Sequence, residues 1–308
     1  MSRLSSLMEV TEDEKRAILD HYSMTEEQFE ENVKILRTWI KQSGHLPQEE
    51  DENKFRLVLL NCKMSMEKAK QCVEGYYRIR TRYAHEFFDK LIPNAKDYLQ
   101  SKNLAKSVVM PKLTPDLCRI TIFKLTDPEG LADDALIYHI PVFMITEMRL
   151  TKELCLSNII LIDFSSYSWK NLIKYTPTVN QKLVDMLISV NIRIHSLHFI
   201  NVTGFMDHIM RVLKSFVPGK IVNKIIIHKS RESLWEYIPK ECLPEDYGGT
   251  QKPLDEIYSD WCEQIEESEE LFKKLLSAKS SAKFELDPSQ QDVFGCGAEG
   301  SFRQLVLD

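Results

Sequence analysis

The sequence predicts an α/β protein, a helical N-terminal domain followed by a larger domain whose mainly parallel β-sheet is covered by helices. Three observations lead there. The first 90 or so residues carry apolar positions at helical spacing, with no β-rich run among them. From about residue 118, short β-branched runs alternate with helical patterns, and that alternation demands crossover connections between parallel strands. At 308 residues the chain is long for one compact core, so a large domain with a smaller companion is expected. The expected divisions are a helical domain over 1–95, a sheet domain over 96–250, and a C-terminal helix and tail over 251–308.

In order along the chain, Thr25 followed by Glu27 and Gln28 opens a helix with Phe29, Val33, Leu36 and Ile40 on one face. The run Ser43 to Pro47 ends it, and an acidic turn over 48–52 leads to a second apolar pattern through Phe55, Val58, Leu59 and Leu60. Ser65 is placed as the N-cap of a third helix carrying Ala69, Val73, Tyr76 and Tyr77. The runs 120–125, 159–164, 197–200 and 225–228 read as strands, since they are short and rich in β-branched or aromatic residues. A helical pattern returns from Pro253 to Ala278 through Leu254, Ile257, Trp261, Ile265, Phe272 and Leu275.

Bulk properties exclude several classes. The formal net charge of −6 argues against a dedicated nucleic-acid binder. The longest apolar runs fall far short of the roughly 18 residues a bilayer crossing needs. The N-terminus has no apolar signal core and soon turns acidic, and the seven cysteines form no C-x-x-C pair, so free thiols in a reducing cytoplasm are expected. No metal or cofactor motif stands up. Gly295 to Gly300 fits G-x-G-x-x-G, but no strand precedes it and only eight residues follow. His195 and His198 fall on opposite faces of a strand and cannot chelate together.

One segment has unusual character. Taken as a helix, residues 205–217 place Phe205, Ile209, Val212 and Phe216 on one face, with Met206, Met210, Leu213 and Val217 beside them. The apolar arc is about 160°, wider than the roughly 100° stripe of a helix packed on a core. Asn201, Thr203 and Gly204 supply a turn before it, and Pro218-Gly219 breaks it. Two readings fit: a core helix that never moves, or a gate that packs on a bound apolar molecule when shut and offers Phe and Met to a membrane when open.

Several segments, in order, resemble the CRAL-TRIO family of tocopherol-transfer and retinaldehyde-binding proteins. They are Lys63 to Lys70 with Tyr76 to Arg80, the strand Ile159 to Asp163, Tyr175-Thr-Pro177, His195 to Asn201, Leu213 to Val217 with Lys220, and Leu243-Pro-Glu-Asp-Tyr-Gly-Gly249. The resemblance covers roughly residues 30 to 265, and the ending Glu299-Gly-Ser-Phe-Arg303 is similar to insect members. It implies a lipid-binding α/β domain with a mobile gate helix, which favours the gate reading of 205–217.

The resemblance further implies a ligand cavity lined by Ile160, Ile162 and Phe164 on the central strand, Phe143 and Ile145 in the helix before it, and Leu183, Met186 and Leu187 after Pro177, beside the gate residues. One or two polar groups, from among Ser165, Tyr138 and His139, would orient the ligand. Arg193, Lys214, Lys220 and Lys224 would touch phosphate or membrane; Lys220 matches a family lysine, and Arg193 and Lys224 keep the charge with a different side chain. Cys62 and His195 stand where the family has arginines, and neither replaces the bidentate contact of a guanidinium with phosphate.

The expected function is non-catalytic, intracellular binding and transfer of one small hydrophobic ligand between membranes. The expected carrier is monomeric, has no cofactor, and contacts anionic membrane transiently. Two alternatives remain. One is a module that senses a phospholipid or phosphoinositide in place. The other is a serine hydrolase with Ser165 or Ser166 as nucleophile and His139 or His228 as base, although no G-x-S-x-G elbow is present.

Overall fold

The structure, a computed structural model, describes residues 6–47, 52–202, 204 and 206–278. Thr203, Phe205, and the tail with its glycine motif lie outside the described residues.

Helix α1 (Glu12–His21) and helix α2 (Glu26–Gln42) both open on capping boxes, Thr11 with Glu14 and Thr25 with Gln28, which satisfy backbone N–H groups left over at a helix start. Helix α3 (Glu52–Asn61) and helix α4 (Met66–Arg82) complete the bundle, and Ser65 caps α4. Phe29, Val33, Leu36 and Ile40 of α2 are buried against Phe55, Leu59, Val73 and Tyr77. Helix α5 (Lys96–Leu104) then leads into the sheet domain.

The sheet has strand order β1-β2-β3-β4-β5, formed by Ala105–Leu113, Cys118–Leu125, Ser157–Asp163, Ile194–Ile200 and Ile225–Ile227. Strand β1 runs antiparallel to β2, and the other pairs are parallel. Three crossovers join the parallel strands through α6 (Ile140–Leu150), α7 (Pro177–Ser189) and α8 (Met206–Phe216). With strands in sequential order, crossovers of one hand must stack their helices on one face. That face carries Phe123, Ile160, Ile162, Leu197, Phe199 and Ile225, by the registers Phe123↔Ile162, Ile160↔Leu197, Ile162↔Phe199 and Leu197↔Ile225.

The opposite face carries Ile120, Ile122, Ile159 and Leu161, packed in one core with Leu234, Ile238, Cys242 and Leu243 from the segment after β5. Tyr247 secures that segment by donating to Asp163 Oδ2 at 3.1 Å. The two glycines that follow are sterically required. A Cβ at Gly248 would lie 2.5 Å from the Trp235 ring, and one at Gly249 would lie 2.0 Å from the Leu243 carbonyl oxygen. The chain then returns along β1 as α9 (Leu254–Glu267), where buried Trp261 donates to the Val109 carbonyl at 2.9 Å, and ends in α10 (Glu269–Ser277).

Strand β1 is the element the sequence reading passes over. Pro111 and the flanking lysines interrupt its apolar run, and the ladder shifts register between Val109 and Leu113. Proline is tolerated there because β1 is an edge strand and the residue lies at an irregularity.

A buried ionic cluster fixes the base of the sheet. Arg119 is fully buried and donates to Glu153 Oε1 and to the carbonyls of Met110 and Pro111, while Arg149 donates to the other oxygen of Glu153 at 3.1 Å. Burial alone would raise the Glu153 pKa, but the two guanidiniums outweigh it and hold the carboxyl below its ordinary range. Glu153→Gln leaves two buried cations without their counter-charge. It is expected to lose about 3–5 kcal/mol of stability in urea denaturation at pH 7, and a loss under about 1 kcal/mol would contradict the buried cluster.

Candidate functional site

The helix-covered face of the sheet is not fully packed. Ile160, Ile162, Leu197 and Ile225 stand on interior or near-interior strands beneath the crossovers, yet each keeps accessible surface. Above them His139, Val142, Tyr167, Tyr175 and Val179 are likewise only partly buried. Partial accessibility usually means bulk water, but here desolvation lowers the His139 pKa to about 4 and raises the Tyr167 and Tyr175 hydroxyls above their ordinary value. Surface that is accessible and desolvated at once is the signature expected of residues lining an internal hollow.

The hollow is aromatic and aliphatic with one polar line. The His139 ring stacks on Phe123 at 5.3 Å and 12°, and its Nε2 lies 3.3 Å from the Tyr175 hydroxyl. Tyr167 is hydrogen-bonded to Tyr175 in turn. At the far end Phe164 packs on Phe199 and Tyr167, with ring centroids 5.2 and 4.6 Å away. Helix α6 places His139 and Val142 over the sheet, and Pro177 starts α7 so that Val179 reaches the same space.

Helix α8 closes one side. Ile209 is buried, and Met210 and Leu213 pack beside it against Phe164, Phe199, Leu172 and Leu197. Val212, Phe216 and Val217 are half-buried, whereas Asp207, Arg211, Lys214 and Ser215 face solvent. Among the described residues, no α8 side chain makes a hydrogen bond or ion pair outside the helix; Ser215 bonds only to the Arg211 carbonyl. Among the described side chains, apolar contact is what holds the helix down. By contrast, α6 is pinned by ion pairs of Glu147 with Arg80 and Arg149 with Glu153.

The residues expected to line a cavity divide in two. Ile160, Ile162, Phe164, Ile209, Met210 and Leu213 come together on or over the helix-covered face. Phe143 packs edge-on against Phe87 at 5.0 Å, and Ile145, Leu183 and Met186 are buried in that same central core. Leu187 is 44 % exposed on α7. Met206 opens α8, and Phe205 is outside the described residues. The wall residues absent from the expectation are Phe123, Val142, Tyr167, Tyr175, Val179 and Leu197. Val142 and Val179 lie on the same helices as expected residues, and Phe123 and Leu197 pair with Ile162 and Ile160 on neighbouring strands, so the elements were legible but the individual wall residues were not.

The three candidate orienting groups also separate. Tyr138 is buried and donates to Asp127 Oδ2 at 2.6 Å, Ser165 is exposed, and His139 faces the hollow. Among the described residues, neither Ser165 nor Ser166, the nucleophiles a hydrolase would need, is bonded to a histidine. His139 is bonded to Tyr175, and His228 to His198 and Ser233 on the opposite face of the sheet. His198 is buried while His195 is exposed, as strand alternation requires.

The basic residues gather near the mouth of β4 and β5. Arg193 donates to the Tyr22 hydroxyl at 2.9 Å, and Lys224 donates to the Ile194 carbonyl. Partial burial, then the charges of Arg193 and Lys63, lower the Lys224 pKa, so the three cations share one neighbourhood. Lys220 is exposed on the turn before β5, and Lys214 on the solvent side of α8. Cys62 is buried next to Lys63 and accepts from Asn191 at 3.1 Å.

Comparison with known proteins converges on one family. Residues 108–249 match the CRAL/TRIO domain model, and residues 25–96 match the Pinta-like UBA domain model. The alpha-tocopherol transfer protein-like protein of Mus musculus is 27% identical over 250 residues, 79% of this chain and 71% of the mouse protein. Its Homo sapiens counterpart is 26% identical over 73% of this chain and 66% of its own length, just under two thirds. Clavesin-1 of Xenopus laevis is 31% identical over 99 residues, 32% of this chain and 30% of its own length. The crystal structure of Sfh5 has a TM-score of 0.53 at 14% identity, covering 73% of this chain and 91% of that one, a likeness of fold alone. With a helical bundle ahead of a sheet whose crossovers all lie on one face, and with residues 108–249 matching the family model, the chain carries a CRAL/TRIO domain.

Proposed function

We propose that this chain binds one small, mostly hydrocarbon molecule in the hollow beneath α8 and carries it between membranes unchanged. The observation that carries the reading is the desolvated yet accessible wall formed by His139, Tyr167 and Tyr175 over Ile160, Ile162 and Leu197. The family and the transfer-protein relatives support the same reading. A guest that buries about 400 Å² of apolar surface gains about 10 kcal/mol at 25 cal/mol per Å². Part of that offsets the freedom lost on binding. Apolar burial alone therefore suffices for retention, and the line from His139 to Tyr167 is left to orient one polar end. A tocopherol or retinoid has that shape.

Exchange requires the cover to open. Because the described side chains of α8 make no polar latch, opening them costs their apolar contacts, and a membrane interface offers Ile209, Met210 and Leu213 an apolar surface in return. Arg193, Lys63 and Lys224 share one neighbourhood, and such a cluster would attract anionic headgroups, each cation contributing about 1 kcal/mol near a charged bilayer. Sensing of a phospholipid in place is the second reading, favoured by that same cluster. Nothing among the described residues favours the hydrolase reading.

Two outcomes are expected. Incubated with a lipid extract and re-purified, the wild-type protein retains an intact hydrophobic species. Leu197→Trp fills the hollow and retains several-fold less at unchanged melting temperature, and equal retention would place the ligand elsewhere. Val212→Asp, on the half-buried side of α8, keeps the fold but slows transfer between vesicles by about tenfold, the equivalent of 1.4 kcal/mol. Unchanged transfer in the folded variant would remove α8 from the exchange step.

A further inference from the structure

We infer that Cys62 and Cys72 form a redox pair that closes to an intramolecular disulfide when the protein meets a peroxide. The two sulfurs lie 3.5 Å apart, in contact across the corner between α3 and α4. A disulfide bond is about 2.05 Å long, so closure asks for a shift of about 1.5 Å, within reach of side-chain rotation. Neither backbone segment has to cross the molecule, because Cys62 follows the end of α3 and Cys72 lies in the second turn of α4.

Accessibility assigns the order of events. Cys72 is partly exposed, whereas Cys62 is buried. The Cys72 thiolate attacks one oxygen of hydrogen peroxide, the O–O bond breaks, and the departing hydroxide takes up the thiol proton as water. Cys72 is then a sulfenic acid. The Cys62 sulfur attacks the Cys72 sulfur, the S–O bond breaks, and the second hydroxide leaves as water with the Cys62 proton. Two thiols lose two electrons, one peroxide gains them, and two waters form.

The other described cysteines are differently placed. Cys155 is buried and its thiol is pushed up to about 12, chiefly by desolvation; Cys118 and Cys242 are buried and also raised, and Cys262, though partly exposed like Cys72, is raised by desolvation and has no described cysteine in contact. Such thiols are poor nucleophiles. Among the described residues no other two cysteine sulfurs are in hydrogen-bond contact. The corner is also a joint between domains. Asn191, just past α7, donates to Cys62 Sγ at 3.1 Å, and the adjacent Lys63 and Met64 hold left-handed backbone at φ of 53° and 63°. A closed disulfide fixes that corner and draws the Cys62 sulfur toward α4, beside the cation cluster of Lys63, Arg193 and Lys224.

The test is intact mass and peptide mapping of the full chain, reduced, desalted and exposed to a modest excess of hydrogen peroxide. The expected result is a loss of 2 Da, reversed by dithiothreitol, with a Cys62–Cys72 cross-linked peptide. The loss should be absent in Cys72→Ser and retained in Cys155→Ser. Differential alkylation of the wild type gives the same answer without a variant: both thiols are protected together after oxidation and neither before. Stepwise oxygen addition at Cys72 with Cys62 still alkylatable, or a 2 Da loss that persists in Cys72→Ser, would overturn the pair.

Discussion

Everything that concerns function follows from the handedness of three crossovers. Strands β2 to β5 are laid down in sequential order, so α6, α7 and α8 all rise on one side of the sheet and the returning C-terminal segment must serve the other. The two faces then differ in kind. The far face is sealed by Leu234, Ile238, Leu243 and the Tyr247–Asp163 bond. The near face is roofed by three helices that do not fill the space beneath them, since Ile160, Ile162 and Leu197 keep accessible surface under cover.

The roof is unevenly fastened. Helix α6 is tied into ion pairs that reach both the helical bundle, through Arg80, and the base of the sheet, through Glu153. Breaking one partner of such a buried pair is costly. Helix α7 is joined to α4 through the Tyr83–Asp185 bond at 2.6 Å. Helix α8 has no comparable attachment among the described residues, and its buried side rests on Ile209. Non-directional contact lets a surface slide or lift without leaving charges unpaired. The fastening that stabilises the roof thus lies in α6 and α7, not in the described contacts of α8.

Much of this was legible in the sequence, and the failures are instructive. Capping residues Thr25 and Ser65, the strand runs and the long apolar arc of residues 205–217 all carried local signals strong enough to place elements. The family resemblance placed the fold. Individual wall residues were harder, because a helix such as α6 is apolar nearly all round. Phe143 and Val142 are neighbours in sequence, yet one packs on Phe87 and the other faces the hollow. Only tertiary contacts set that phase. Strand β1 was hidden by Pro111, and the nearness of Cys62 and Cys72 depends on how two helices meet, which spacing alone does not reveal.

Binding of a guest in the hollow is tested most directly by native mass spectrometry of the protein purified gently from its own tissue. The expected spectrum shows the chain carrying a single, small, water-insoluble adduct that is released on heating or in organic solvent. A spectrum of bare protein, from tissue and again after exposure to that tissue's lipids, would contradict the carrier reading and leave the space beneath α8 without a purpose.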